Sequence, residues 1–211
     1  MKTWAVIPMK PLRDAKSRLK DVLSEADKNK LVLTLYKHSL ALMRDNRKLD
    51  AFAVITADDQ LKDIARSYGA HIVDEDNPSG LNNSLKNALP FFIKEKVDNL
   101  LVLPGDLPYM NQPVLLDLAR EMEKRNLLMV GPDQSLVGTN ALFFNPLWKM
   151  KFFFGEDSFH KHVQFGKETR YDVKLYISDA LKFDIDTPKD LEQHQKMVQF
   201  LLEKPVEDIL P

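Results

Sequence analysis

Three aspartates and one run of cations are the side chains best placed to do chemistry in this sequence. The stretch from Asn99 to Pro108 reads Asn-Leu-Leu-Val-Leu-Pro-Gly-Asp-Leu-Pro. Consecutive apolar residues without alternation fit a strand covered on both faces, and Pro104, Gly105 and Pro108 forbid a regular helix directly afterwards. Asp106 is therefore expected just past the carboxyl end of a buried parallel strand, the edge where open α/β sheets bind ligands. An aspartate there serves a hard cation or a ribose hydroxyl; the competing role is a turn residue capping local backbone.

From Lys10 to Lys20 the sequence Lys-Pro-Leu-Arg-Asp-Ala-Lys-Ser-Arg-Leu-Lys sets five cations against one carboxylate. It follows a first apolar strand, Trp4 to Ile7, closed by Pro8. A loop of this kind can surround a polyphosphate, or it can be a solvated basic turn. It has no glycine, so neither the dinucleotide fingerprint nor a Walker loop is present, and any phosphate grip must come from side-chain cations. Further on, Phe183-Asp184-Ile185-Asp186-Thr187-Pro188 places both aspartates on one face of an extended segment. A sheet returning its last strand beside the central one would gather Asp106, Asp184 and Asp186. Oxygen-only ligands favour magnesium or manganese. A cationic loop facing a carboxylate-bound metal is the equipment of a nucleotidyl transferase, in which metal and lysines neutralise a triphosphate while a phosphate attacks the α-phosphorus in line. No general base is needed, because a phosphate monoester with a second pKa of about 6 is largely dianionic at neutral pH. The lack of a Ser-His-Asp or Cys-His set agrees with this.

The elements that must position these groups follow from patterning. With 211 residues the chain suits one domain with a small insert or lid at about 146–172. The 30 basic and 31 acidic residues give no field for nucleic acid or an anionic membrane. The absence of cysteine excludes disulfides and thiolate chemistry. No apolar run suits a signal peptide or membrane span, so a cytoplasmic protein is expected. A helix should start at Ser24 and Asp27 and run to about Arg44, with Leu31, Leu35, His38 and Leu42 on its core stripe. Next come a strand from Asp50 to Thr56, a helix from Asp59 to Tyr68 closed by Gly69, a short strand from His71 to Val73 and an acidic loop from Asp74 to Ser79. Gly80-Leu81-Asn82-Asn83-Ser84 then opens a helix whose free N–H groups suit a base or ribose, or are simply capped by Asn and Ser. A helix from Gln112 to Arg125 and a strand from Leu127 to Val130 complete an alternation that implies right-handed βαβ units and a mainly parallel sheet. Ala141 to Phe144 is a strand with no helix before it. The stretch from Lys151 to Gly166 reads as a lid or specificity element, and its apolar Phe152-Phe153-Phe154 run suggests a homodimer contact. His160 and His162 diverge on a helix and make a poor metal pair. Val173 to Ile177 is a further strand, and Pro188 starts a terminal helix to about Glu203.

Five motifs in order, Val6-Ile7-Pro8-Met9-Lys10-Pro11-Leu12-Arg13-Asp14-Ala15-Lys16-Ser17-Arg18-Leu19, Leu103-Pro104-Gly105-Asp106-Leu107-Pro108, Gly138-Thr139-Asn140-Ala141-Leu142, Phe154-Gly155-Glu156-Asp157-Ser158-Phe159 and Asp184-Ile185-Asp186-Thr187-Pro188, resemble the 2-phospho-L-lactate guanylyltransferases of deazaflavin coenzyme biosynthesis. The resemblance implies a three-layer α/β/α sandwich with a mixed, mainly parallel sheet, of the nucleotide-diphospho-sugar transferase kind. It implies the condensation of GTP with 2-phospho-L-lactate, or a relative such as phosphoenolpyruvate or phosphoglycerate, to lactyl-diphosphoguanosine and pyrophosphate with magnesium. Carried onto this sequence, Asp106, Asp184 and Asp186 hold metal, and Lys16 with Arg13 and Arg18 meets the triphosphate. Lys16 and Asp106 thereby carry catalysis. Pro8, Gly105 and the start of the Gly80, Leu81, Asn82 and Ser84 helix hold the nucleotide. Lys10, Thr139, Gly155 and Ser158 hold the phospho-acid, with His162 a further candidate. A metal-dependent glycosyltransferase using Asp184 and Asp186, and a nucleotide-sensing protein, are the rival readings. The short insert and its cations suit a small anionic acid better than a sugar acceptor.

Overall fold

The computed structural model describes residues 1–75 and 80–203, so most of the expected acidic loop, residues 76–79, lies outside the described residues. The apolar runs become strands β1 (Thr3–Pro8), β2 (Ala51–Thr56), β3 (His71–Asp74), β4 (Asn99–Val102), β5 (Leu127–Pro132), β6 (Thr139–Phe144) and β7 (Asp172–Leu175). They form one sheet in the order β3-β2-β1-β4-β6-β5-β7. Only β6 runs against its neighbours, β4 and β5. The helices are α1 (Glu25–Arg44), α2 (Asp59–Ser67), α3 (Leu81–Lys94), α4 (Gln112–Glu121), α5 (Ser158–Glu168), α6 (Pro188–Gln193) and α7 (Gln195–Glu203).

Unalternated strands need cover on both faces, and they have it. Ala5, Ile7, Val54, Leu101, Met129 and Phe143 join Tyr36, Leu61 and Leu115 of α1, α2 and α4 in one core. Their strand neighbours Trp4, Val6, Ile55, Val102, Leu128 and Phe144 join Leu85, Phe92 and Phe165 of α3 and α5 in a second. The period of two therefore sorts the strands between two apolar layers, giving the expected α/β/α sandwich. Ser24 caps α1 by accepting from the N–H of Asp27. Leu31 and Leu35 on the outer side of that helix meet Val198 and Leu201 of α7 in a third cluster that also buries Leu19 and Ile185. Among the described residues no helix is long and apolar enough to cross a membrane.

Several sequence expectations are corrected. Residues 183–187 do not form a strand of the sheet. They cross its carboxyl edge as an irregular segment after β7, held where Asn140 Nδ2 donates to the carbonyl of Leu181 (2.8 Å) and the N–H of Gln134 to that of Lys182 (3.0 Å). The terminal helix is broken at His194 into α6 and α7. The stretch at 146–172, expected as an insert or lid, is the crossover from β6 to β7, with α5 seated on the sheet. A Cβ on Gly166 would stand 2.6 Å from Val173 and 2.7 Å from Leu128. Phe152, Phe153 and Phe154 are partly buried against their own core, where Phe152 meets Phe144 and Phe153 meets Phe165 edge to face or tilted, so part of the apolar surface of this run is covered within the chain.

Candidate functional site

Antiparallel pairing of Val102 with Leu142 carries the start of β6 past the end of β4, so Thr139 shares the carboxyl edge with Asp106. Between the ends of β1, β2 and β4, the basic loop and the start of α3 lies a cleft of about 480 Å³. Its wall includes Pro8, Lys10, Lys16, Arg18, Gly80, Leu81, Ser84, Gly105, Asp106 and Asp186. Gly105 packs closely over β1: a Cβ would lie 2.7 Å from the sulfur of Met9 and 3.1 Å from Ile7, so a larger residue would require the Met9 side chain to shift. The chain thus turns tightly over β1 and sets Asp106 at the cleft floor.

The basic loop is anchored from below. Leu12, Ala15 and Leu19 are buried, and Asp58, the cap of α2, accepts from the N–H of Leu12 at 2.9 Å. Lys16 stands between two short 3-10 turns with a left-handed backbone, φ 48°, a conformation uncommon outside glycine. Its side chain is only 4% exposed. The ammonium donates to Asp106 Oδ2 at 2.8 Å, to the carbonyl of Ile185 at 2.5 Å and to Asp186 Oδ1 at 3.4 Å. Burial opposes its charge, but Asp106 and Asp186 outweigh burial and hold its pKa above the ordinary lysine value. Asp184 has the opposite problem. Burial, then the charges of Asp106 and Asp186, push its carboxyl up to about 6. The aspartates are thus electrostatically one group. Among the described residues no three carboxylate or imidazole groups form a ready-made ion cage; Asp106 and Asp186 are drawn onto Lys16. Arg13 does not join the cleft: its guanidinium is exposed and pairs with neighbouring Asp14.

Thr139, Gly155, Ser158 and His162 form a separate, neutral cluster. His162 is fully buried, its Nδ1 3.1 Å from Thr139 Oγ1 and its Nε2 3.1 Å from the N–H of Phe153. Burial lowers its pKa to about 4, against an opposing hydrogen bond to the backbone of Ser158. Ser158 begins α5 and is itself buried, and Gly155 turns the chain into it at φ 112°, which a side chain would strain. Of the acceptor candidates only Lys10 lies on the cleft wall itself. Asn82 is also not where the sequence suggested. Its amide makes a two-way link with Phe154, accepting from the N–H at 2.7 Å and donating to the carbonyl at 2.9 Å, and so ties the start of α3 to the neutral cluster. His160 is exposed and pairs with Asp157. His38 Nε2–H donates to the carbonyl of Met110 (2.8 Å), behind the loop bearing Asp106.

Glu75, one residue past β3, was missed as an individual. It faces the cleft across from Gly80 and receives the hydroxyl of Ser84. Its only signal in the sequence was its place in the acidic stretch just before Gly80, and it joins Asp14, Asp106 and Asp186 among the carboxylates of the cleft wall.

The family model described as "Guanylyl transferase CofC like" matches residues 3–196. The chain is 31% identical over 193 residues to the phosphoenolpyruvate guanylyltransferase of Sphaerobacter thermophilus, with 92% of each chain covered. It is 29% identical over 191 residues to the 2-phospho-L-lactate guanylyltransferase of Methanothermobacter thermautotrophicus, covering 90% of this chain and 83% of that one. It is 31% identical over 199 residues to the 3-phospho-D-glycerate guanylyltransferase of Colwellia psychrerythraea, covering 91% and 90%. Among solved structures, one from Desulfovibrio desulfuricans G20 assigned to the nucleotide-diphospho-sugar transferases superposes with a TM-score of 0.68 at 14% identity, covering 95% and 99%. A cytidylyltransferase from Leptospira borgpetersenii superposes with a TM-score of 0.63 at 17% identity, covering 99% and 92%. At these identities the structural likeness establishes the fold.

Proposed function

The chain belongs to the CofC-like guanylyl transferases, and from that premise we propose that it condenses GTP with a three-carbon phospho-acid, releasing pyrophosphate, as a step of deazaflavin coenzyme biosynthesis. 2-Phospho-L-lactate is the first acid to test. Phosphoenolpyruvate and 3-phospho-D-glycerate, named for its relatives, belong to the same chemical class. The observation that carries the reading is the buried Lys16 ammonium gathered with Asp106 and Asp186 on the floor of the cleft beneath the basic loop.

The triphosphate lies along the basic loop, where Lys16, Arg18 and Lys10 neutralise it. The base rests against the start of α3. There the Glu75 carboxylate suits the N1–H and N2–H donors of guanine, which adenine does not present together. A divalent cation fits the remaining donor set, because mutually repelling carboxylates that already gather an ammonium favour a hard cation. Asp106, Asp184 and Asp186 would hold magnesium or manganese, which when bound neutralises charge developing on the phosphates. The acceptor lies toward Thr139, Gly155 and Ser158, with Lys10 reaching it from the cleft wall. Its own phosphate is the nucleophile, so the protein has to align it rather than deprotonate it. Pyrophosphate release from GTP and magnesium, assayed with each acid in turn, is the test. Acid-dependent release with GTP is expected. Release independent of the acid, or none with any of them, overturns the reading.

A further inference from the structure

His162 sits outside the chemistry just described, although it was a candidate to touch the acceptor. It is wholly buried, and both ring nitrogens are engaged. The contact from Phe153 fixes the protonation of the ring. A backbone N–H can only donate, so Nε2, 3.1 Å from it, must present its lone pair. A neutral imidazole then carries its proton on Nδ1. Burial keeps the ring neutral. Nδ1–H is then shared between the two acceptors that face it, the backbone carbonyl of Ser158 and Thr139 Oγ1 at 3.1 Å.

The hydroxyl of Thr139 therefore accepts from His162 and cannot donate to it. Its own proton is left to point elsewhere, at the start of β6 on the sheet edge that carries Asp106. The same ring holds the N–H of Phe153, two residues before the turn at Gly155, while Asn82 holds Phe154 on both sides. We propose that His162 is a positioning residue for the acceptor: as the Nδ1–H tautomer it turns the Thr139 hydroxyl into an obligate donor toward the phospho-acid and fixes the backbone leading to Gly155 and Ser158. This rests on the acceptor pocket placed above. A donor fixed in advance favours an anion over a neutral sugar hydroxyl, and it costs nothing to reorganise when the acid binds.

Two measurements on the full-length protein test it. Long-range nitrogen-15 correlation spectra of the imidazole report which nitrogen carries the proton; Nδ1–H is expected, and a proton on Nε2 overturns the proposal. Steady-state kinetics with GTP, magnesium and 2-phospho-L-lactate, phosphoenolpyruvate or 3-phospho-D-glycerate then separate the roles. Thr139→Val should raise the KM for the acid about ten- to a hundredfold, the loss of one hydrogen bond to a charged group, with the KM for GTP unchanged. His162→Gln can accept from Phe153 but offers Thr139 no donor at the Nδ1 position. It should reproduce much of that rise, and the double variant should be no worse than Thr139→Val alone. If Thr139→Val raises the acid's KM while a folded His162→Gln leaves it untouched, His162 does not position the hydroxyl. If the tautomer is Nδ1–H but Thr139→Val changes nothing, the acceptor pocket itself is misplaced. Should His162→Gln fail to fold, the spectrum of the unaltered protein and Thr139→Val still decide the matter.

Discussion

Two groups on one sheet edge are built on opposite electrostatic plans. Around Lys16 the structure holds charge: Asp106, Asp184 and Asp186 share a single buried ammonium, and the acidic side chains retain 27% exposure at Asp106 and 46% at Asp186. Around His162 the contacts are neutral: the ring accepts from the N–H of Phe153 and meets the Thr139 hydroxyl, and Asn82 accepts from the N–H of Phe154. The charged group can trade one cation for another, since the carboxylates around Lys16 are part-exposed to the cleft and a second cation can replace the charge that one of them gives up. The neutral group cannot trade, because each buried partner left unmet costs about 1–3 kcal/mol. On the proposed function, nucleotide and metal would meet a site that rearranges charge, and the acid one set before it arrives.

The sharpest way to break this contrast is to remove a carboxylate. Asp106→Asn should lower kcat/KM by about a thousandfold, roughly 4 kcal/mol of transition-state stabilisation. Thermal stability should change by less than about 1 kcal/mol, because relief of repulsion among the aspartates offsets the lost ion pair. Kinetics and melting of the same preparation check it; a large stability loss with near-normal turnover would make Asp106 a structural residue.

Acid unfolding tests the neutral side. His162 has an ordinary pKa of 6.5 when unfolded and about 4 in the fold, burial being the cause. The unfolded chain therefore binds the extra proton between those values. Stability from this group is intact above pH 6.5 and is lost as pH falls toward 4, by up to about 3 kcal/mol. Denaturant titrations from pH 7 to 4 should show the gap between the unaltered protein and His162→Gln narrowing as pH falls. A gap independent of pH would mean that the ring is not held neutral.

A smaller effect is expected at Glu75, which separates base reading from charge neutralisation. Glu75→Gln should reduce the preference for GTP over inosine triphosphate, which lacks the N2 amine, by about tenfold, near 1.4 kcal/mol. Equal losses with both nucleotides would return Glu75 to a structural partner of Ser84.

Legibility in the sequence follows the same division. Asp106 and the basic loop could be read because local signals suffice: an apolar run stopped by Pro-Gly, and cations without glycine. Asp184 and Asp186 were placed together for the right reason but on the wrong element. Alternation is met by any extended segment, and here the backbone groups that a ladder would use go to side chains, the carbonyl of Ile185 to Lys16 and the N–H of Asp186 to Asp190. Thr139 with His162, and Asn82 with Phe154, are pairings across the fold that depend on the register of β6 and the seating of α5. No local pattern encodes them. Glu75 lay in a stretch whose composition spoke only of an acidic loop.

The weakest expected effect probes how the two carboxylate segments are held to each other. Tyr109, in the loop after Asp106, lies 6.0 Å from the ring of Phe183, which precedes Asp184, and its hydroxyl is 2.8 Å from His194 Nδ1 at the break between α6 and α7. Phe183 and His194 are themselves 4.7 Å apart. This half-buried aromatic group fastens the Asp106 loop to the Asp184 segment through ring packing and one hydrogen bond. If exchangeable ion pairs set the carboxylates, loosening the fastening should matter little. Tyr109→Phe keeps the rings and removes one hydrogen bond, so it should cost about 0.5–1.5 kcal/mol in stability and weaken the magnesium requirement for turnover about two- to threefold. The KM for the acid should not move, because Thr139 and His162 are held by a different set of bonds. A loss approaching that of Asp106→Asn would show that the charged site is as rigidly fixed as the neutral one, and the contrast between them would fall.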